Sequence, residues 1–302
     1  IEFTHVSKSF GSVHAASDGS FTVQPGVVYG FLGPNGAGKT TSLRMLLGLV
    51  HATSGSATVL GEPMPRRAAA VLPQVGALVE GPAAWGHLSG RANLRLLDAA
   101  GPGGRRRDRR RRVDEALERV GLAGIDRRPV KAYSLGMRQR LGIAAALLRA
   151  PRLLLLDEPT NDLDVRGIHE MRDLLVALNA TGTTVVLSSH LLTEVEALCT
   201  RVGIMDAGRL VLADDLASLR APTGRIRLRT PSPDAALALL DGRVEAREAD
   251  LLTVRGDDPA ELNALLVGAG VPVTAIDRER RSLEEVVLDV TGSGNDRFEG
   301  HR

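Results

Sequence analysis

The stretch Gly33-Pro-Asn-Gly-Ala-Gly-Lys-Thr40 constrains the architecture of this 302-residue chain more than any other. It lies between the apolar run Val27–Leu32, which reads as a strand, and the helical pattern Thr40–Leu49. The turn matches G-x-x-x-x-G-K-S/T at every fixed position and in the required strand-to-helix context. Gly33, Gly36 and Gly38, interleaved with Pro34, Asn35 and Ala37, let the backbone curl so that its N–H groups face inward around a β-phosphate. The helix N-terminus, with Thr40 and Thr41, adds positive potential. Lys39 supplies a compact charge to the β- and γ-phosphates, and Thr40 offers a hydroxyl to Mg2+. Only Lys8, Lys39 and Lys131 are lysine among 38 basic residues, so lysine stands here in a chain that uses arginine almost everywhere else. The expectation is a loop that binds ATP.

Around this loop the pattern predicts strands at Ile1–Val6, Ser20–Val23, Ser56–Leu60 and Val75–Val79. Residues 88–150 read as helical, with apolar spacing in Arg111–Val120 and Leu135–Leu148. Strands and helices then alternate: Leu153–Asp157, helix Val165–Asn179, Thr183–Ser189, helix Leu192–Leu198, Val202–Asp206 and Arg209–Ala213. Such alternation with near-continuous apolar strands predicts an α/β fold whose parallel sheet is covered on both faces. After a linker with Pro222 and Gly224, the segments Arg225–Arg229, Pro233–Leu240, Arg243–Arg247, Leu251–Arg255, Pro259–Ala269 and Val271–Ile276 suggest β-α-β-β-α-β, a ferredoxin-like order. A last helix, Ser282–Val290, precedes a polar tail, Thr291–Arg302, expected to be disordered. The domain boundaries expected are 1–220, with a helical part at about 81–150, then 225–290 and the tail 291–302.

Composition excludes several classes. A net charge of +2 argues against a dedicated nucleic-acid binder, and 3% aromatics offers little for a flat ligand. The single cysteine, Cys199, rules out an internal disulfide and fits a reducing compartment. No stretch reaches the roughly 18 uninterrupted apolar residues of a membrane-spanning helix; the nearest, Leu141–Leu156, is broken by Arg149, Pro151 and Arg152. The expectation is a cytoplasmic chain whose membrane work falls to a partner. The run Arg105–Arg112, broken only by Asp108, reads either as a solvated helix start or as a surface that meets anionic lipid or an acidic partner.

A second site feature is Leu153-Leu-Leu-Leu-Asp157-Glu158-Pro159, a buried strand with two acids at its carboxyl end. Adjacent strand residues point to opposite sides, so the acids should differ in role. Asp157 would hold Mg2+ through water, and Glu158 would polarise the attacking water as general base. Tyr133-Ser-Leu-Gly-Met137 opens a helix and is either a second phosphate-binding turn or an ordinary N-cap.

With these motifs in this order, the chain over about residues 1–220 resembles the ATP-binding cassette (ABC) transporter ATPases. Tyr133–Met137 is similar to the signature LSGGQ, with Leu135 in place of its first Gly and Met137 in place of its Gln. Asn161-Asp162-Leu163-Asp164 resembles the D-loop. His190, in Leu187-Ser-Ser-His190, resembles the switch histidine that senses the γ-phosphate, and Phe10 the aromatic that stacks on adenine. The resemblance implies a head-to-tail homodimer in which Ser134, Leu135, Gly136 and Met137 serve the partner's nucleotide.

The family usually carries a Gln before the helical subdomain. Gln74 is one candidate, but aligning Val75–Glu80 with I-G-x-x-x-Q, and Leu88-Ser89 with the L-S/T that follows, puts Glu80 there. A carboxylate at that place approaches Mg2+ or its water, and it is familiar from bacitracin- and lantibiotic-type exporters. Ser282–Gly292 resembles the S-L-E-D/E-x-F-L-x-L-T-G ending of daunorubicin-resistance-type ATPases, with Val287 where Phe is usual. The resemblance implies an ATP-hydrolysing, Mg2+-dependent subunit, peripheral on the cytoplasmic side of the cell membrane. It would power export of a drug, antibiotic, peptide or lipid through a separate ABC-2 type permease, with no nucleic-acid partner.

Overall fold

The computed structural model describes residues 1–101, 104–125 and 127–291. The chain divides into two compact units, Ile1–Leu216 with Val290 and Thr291, and Ala217–Asp289. The expected disordered tail beyond Thr291 lies outside the described residues.

The first unit begins with β1 (Glu2–Phe10), β2 (Val13–Thr22), β3 (Val28–Leu32), α1 (Lys39–Leu46), β4 (Ser54–Val59), β5 (Glu62–Met64), α2 (Ala68–Val71) and β6 (Val75–Leu78). Three longer helices follow: α3 (Gly90–Ala100), α4 (Arg109–Arg119) and α5 (Leu135–Leu147). The unit closes with β7 (Leu153–Asp157), α6 (Val165–Ala180), β8 (Thr184–Ser189), α7 (Leu192–Leu198), β9 (Arg201–Asp206) and β10 (Arg209–Asp215).

Every residue of β3 and β8 is buried, as are Leu153–Leu156 of β7. Strands apolar on both faces belong inside a covered sheet, and these three are neighbours within the order β10-β9-β3-β8-β7-β6. All pairings from β9 to β6 are parallel, and β10 returns antiparallel. A smaller antiparallel sheet, ordered β2-β1-β4-β5, contributes a single apolar face. Phe3 and Phe21 of that sheet stack at 4.7 Å and meet Tyr29 and Phe31 of β3, 5.6 and 5.0 Å from Phe21. Four of the chain's eight aromatic residues are thus spent joining the two sheets behind the glycine-rich loop. Each such side chain stabilises the fold by roughly 1.5–3 kcal/mol through burial.

The helical part between β6 and β7 is tied by one carboxylate. Asp98 of α3 has a fully buried side chain; its oxygens accept from Arg112 Nε and Nη2 (2.8 and 2.7 Å) and from Arg109 Nε (3.0 Å), both on α4. Arg149, beyond α5, donates to the backbone oxygens of Asp98 and Gly101 at 3.0 and 3.1 Å. Two members of the arginine run therefore turn inward, while Arg105, Arg106, Arg107, Arg110 and Arg111 stay exposed or nearly so. The bond from Arg112 holds the Asp98 carboxyl below its usual range in spite of burial. Asp98→Asn is expected to lower unfolding free energy by about 3 kcal/mol, because two guanidinium groups lose their counter-charge. The Asp98 contribution is complete above the ordinary carboxylate pKa and disappears as pH falls through the depressed one. Urea midpoints of wild type and variant should accordingly converge in acid; a constant gap down to that range would refute the ion-pair account.

In the second unit the order is α8 (Leu216–Leu219, shared with the boundary), β11 (Pro222–Arg229), α9 (Pro233–Leu240), β12 (Val244–Glu248), β13 (Leu251–Arg255), α10 (Pro259–Gly268), β14 (Ala275–Arg280) and α11 (Leu283–Thr291). The antiparallel sheet runs β12-β13-β11-β14, with Ile226, Leu228, Leu252 and Val254 facing Leu262 and Leu266 of α10. The β-α-β-β-α-β order matches the expectation, but two details differ. The expected linker at Pro222 and Gly224 is the start of β11, where a proline is tolerated at the first strand position. The expected strand Val271–Ile276 lies four residues later. Gly270 adopts φ +79° and Val271 N–H donates to Leu266 O at 2.9 Å, so Val271 and its neighbours close the end of α10 instead. At α11, Ser282 Oγ accepts from Glu285 N (3.1 Å) while Glu285 accepts from Ser282 N (2.9 Å), a capping box that starts the helix.

Candidate functional site

The loop after β3 is held where only glycine fits. A Cβ on Gly33 would sit 2.3 Å from Met205 O, and one on Gly38, at φ +100°, 2.2 Å from Ala15 O. The turn is thus wedged between the end of β9 and the first hairpin, and Ala37 N–H donates to Pro34 O at 3.2 Å. Lys39 begins α1 with its side chain 5% exposed. Its Nζ donates to Gly33 O (2.6 Å) and Pro34 O (3.2 Å), and Glu158 Oε1 lies 3.2 Å away. Asn35 and Gly36 form the exposed crown of the turn, and Thr41 is half-buried behind it.

Parallel register gathers the other groups. Leu32 pairs with Ser189 and Asp157 with Ser188, so the carboxyl ends of β3, β8 and β7 line up side by side. This is the edge at which open α/β sheets place ligands. Asp157 Oδ1 accepts from Thr40 Oγ1 at 3.0 Å and from Ser188 Oγ at 2.6 Å. Glu158 turns the other way: its backbone takes φ +46° and its N–H donates to Ser188 Oγ at 2.9 Å. A left-handed non-glycine residue costs about 1–3 kcal/mol, a strain characteristic of functional turns. The turn separates the two carboxylates, with Asp157 on the hydroxyls and Glu158 between Lys39 and His190, whose Nδ1 is 2.9 Å from Glu158 Oε2.

Thr40 and Asp157 present hard oxygen donors side by side, which suits Mg2+. Among the described residues no group of three or more His, Cys, Asp or Glu side chains could hold a metal alone.

The remaining sequence-derived residues are distributed around this centre. Ser134 is the N-cap of α5, accepting from Met137 N at 3.2 Å, with Leu135 and Gly136 in the first turn. A Cβ on Gly136 would meet Leu163 at 3.6 Å, so this segment lies beside the loop 161–164. In that loop Asn161 N–H donates to Glu158 O at 3.1 Å, Asp162 is left-handed at φ +59°, and Asp164 caps α6 through Gly167 N at 2.8 Å. Phe10 is 49% exposed at the tip of the β1–β2 hairpin, with Lys8 Nζ 4.7 Å above its ring. The exposed carboxylate of Glu80, on a left-handed residue, pairs with Arg44, one helical turn beyond Thr40 on α1. Gln74 bonds Arg152 and the backbone of Ala70.

Sequence reasoning missed three participants: Arg44, Ser188 and Glu194. Ser188 is fully buried at the end of the buried strand β8, beside the equally buried Ser189, and polar residues ending a buried run were its only signal. Glu194, four residues past His190, is 6% exposed and accepts from Ser189 Oγ at 3.0 Å and from Thr160 Oγ1.

Residues 16–161 match the protein family described as ABC transporter. The chain is 37% identical to the bacitracin transport ATP-binding protein BcrA of Bacillus licheniformis, over 97% of this chain and 98% of that protein. It is 38% identical to the daunorubicin resistance ATP-binding protein DrrA3 of Streptomyces coeruleorubidus, over 94% and 93%. Among solved structures, cbiO1 of Clostridium perfringens, part of the ABC transporter complex cbiONQ, superposes with a TM-score of 0.66 at 26% identity, covering 72% of this chain and 88% of that one. A phosphate loop, two divergent carboxylates and a histidine on adjacent strand ends, with full-length likeness to these proteins, place the chain in the ABC transporter family as one of its ATP-binding proteins.

Proposed function

We propose that this chain hydrolyses ATP to drive an exporter, with two copies acting on a separate membrane permease. The observation that carries the reading is the convergence of Lys39 and His190 on the two oxygens of Glu158, at 3.2 and 2.9 Å, beside the Thr40–Asp157 pair. Loop N–H groups and Lys39 bind and orient the phosphates; a phosphate on Lys39 competes with Glu158 for the same ammonium. Glu158, so released, accepts the proton of an attacking water, and His190 steadies its carboxylate through Nδ1 while Nε2 is left to face the γ-phosphate. Mg2+, held by Thr40 Oγ1 and through water by Asp157, would neutralise phosphate charge as it builds.

Dimerisation is proposed because Ser134–Met137, the N-terminal turn of α5, resemble the signature that serves a partner's nucleotide and lie beside Leu163 of the loop 161–164. The export role and ABC-2 type permease rest on the likeness to BcrA and DrrA3, whose names tie them to bacitracin transport and daunorubicin resistance. Among the described residues no helix is long and apolar enough to cross a membrane, which suits a peripheral subunit at the cytoplasmic face.

Phosphate release from ATP by the purified chain tests the reading. Release should require Mg2+, stop on chelation with EDTA, and rise more steeply than linearly with protein concentration. ATP binding without release would leave only a nucleotide sensor and sink the hydrolytic role.

A further inference from the structure

Among the described residues, Glu194 is a buried carboxylate beside the site that the hydrolytic scheme does not use. It stands on α7, and its Oε2 accepts two hydroxyl hydrogens, one from Thr160 Oγ1 and one from Ser189 Oγ at 3.0 Å. Thr160 is 3% exposed and lies two residues after Glu158; Ser189 is fully buried and immediately precedes His190. Each residue also organises its own segment, Ser189 through its hydroxyl and Thr160 through its backbone. Leu191 N–H donates to Ser189 Oγ at 3.0 Å, and Leu163 N–H donates to the Thr160 carbonyl at 3.2 Å, at the start of the loop that lies against Gly136.

The consequence is geometric. The segments leaving β7 and β8 are joined twice, once through Glu158 and His190 at 2.9 Å and once, behind them, through Thr160, Glu194 and Ser189. The first link weakens when Glu158 takes a proton, because the carboxylate that faces His190 Nδ1 then loses its charge. The second lies in the protein interior and can stay fixed throughout.

We propose that Glu194 is a positioning residue that clamps the Thr160 segment to the Ser189–His190 turn, and so sets the distance between the catalytic base and the switch histidine. This rests on the reading of Glu158 as base and His190 as switch. Burial raises the Glu194 carboxyl above its ordinary range, opposed by its two hydroxyl donors, and Oε1 has no hydrogen-bond partner. The side chain thus needs one acceptor oxygen and gains little from its charge. Glutamine supplies that oxygen with the same length; alanine does not.

The test compares Glu194→Gln, Glu194→Ala, Thr160→Ser and Thr160→Val in the full chain, with melting temperature, fluorescent-nucleotide affinity and single-turnover phosphate release measured on each. Neither residue touches Gly33–Thr40, so ATP affinity should stay within about twofold in all four. Glu194→Ala and Thr160→Val should slow release by roughly tenfold to 10²-fold, the scale of an ångström-sized misplacement. Glu194→Gln and Thr160→Ser should keep release within about threefold of wild type, and the Ala/Val double variant should be no slower than the worse single one. Wild-type release from Glu194→Ala overturns the inference, as does additivity in the double variant, or loss of ATP affinity in step with rate. If Glu194→Ala fails to fold, the Ser/Val contrast at Thr160 decides alone, and equal rates there overturn it. No release from the wild type would instead overturn the hydrolytic reading on which the clamp depends.

Discussion

Glu158→Gln is expected to leave ATP binding intact and to slow phosphate release by about 10²–10⁴-fold, the usual contribution of a general base. The substitution is nearly isosteric. The amide oxygen can still accept from His190 Nδ1, and the strained backbone at φ +46° is unchanged, so the fold should persist. What disappears is the capacity to take a proton from water. Loss of the negative charge beside Lys39 also frees that ammonium for phosphate. Chains that bind but do not turn over should accumulate as an ATP-bound dimer, visible by size-exclusion chromatography with ATP and Mg2+ and absent with ADP. Turnover at the wild-type rate would remove Glu158 from the catalytic role and move attention to Asp157.

Lys39→Ala should act one step earlier and abolish measurable nucleotide binding. Lys39 is 5% exposed and holds Gly33 O, Pro34 O and Glu158 Oε1 around a single charge. Its removal leaves two carbonyls and a carboxylate facing the phosphates with no cation between them. Truncating one partner of a buried charge pair costs about 2–5 kcal/mol, so affinity by calorimetry should fall roughly 30-fold to several thousand-fold. Lys39→Arg is expected to fail as well. The ammonium sits 2.6 Å from a loop carbonyl in a turn closed on both sides by Met205 and Ala15, and a planar guanidinium needs more room than that. Retained affinity in either variant would count against the loop as the phosphate clamp.

Much of the site was legible because its chemistry is local. The loop Gly33–Thr40 carries its own explanation: backbone curvature, helix start and charge all reside within eight consecutive residues. Asp157 and Glu158 were legible as a pair with unlike roles, since strand alternation separates neighbours, and the structure gives them separate partners. Glu80 is different. Motif spacing points to Glu80, but its pairing with Arg44 was not legible, because that contact depends on where α1 and the segment after β6 meet. The shift of β14 has a related cause. Val271 and Val273 look like strand residues, but Gly270 turns the chain back on α10, and the strand that follows is a charged edge strand, Ala275–Arg280, without an apolar face to announce it.

The glycine-rich loop, the apolar strands that carry it and the order of the elements are written in contiguous residues and a fixed backbone period, and so are readable from the chain. Packing sets the rest: which strand ends are neighbours, that Ser188 ties Asp157 to the Glu158 backbone, that Asp98 gathers arginines from α4, and that Glu194 bridges Thr160 and Ser189. Those links join residues that sheet register and helix packing bring together, and no local pattern in the chain encodes a hydrogen bond across such a distance. The loop Gly33–Thr40 carries the proposed phosphate clamp within itself; the geometry that would turn it into a hydrolytic site exists only once β3, β8 and β7 lie side by side.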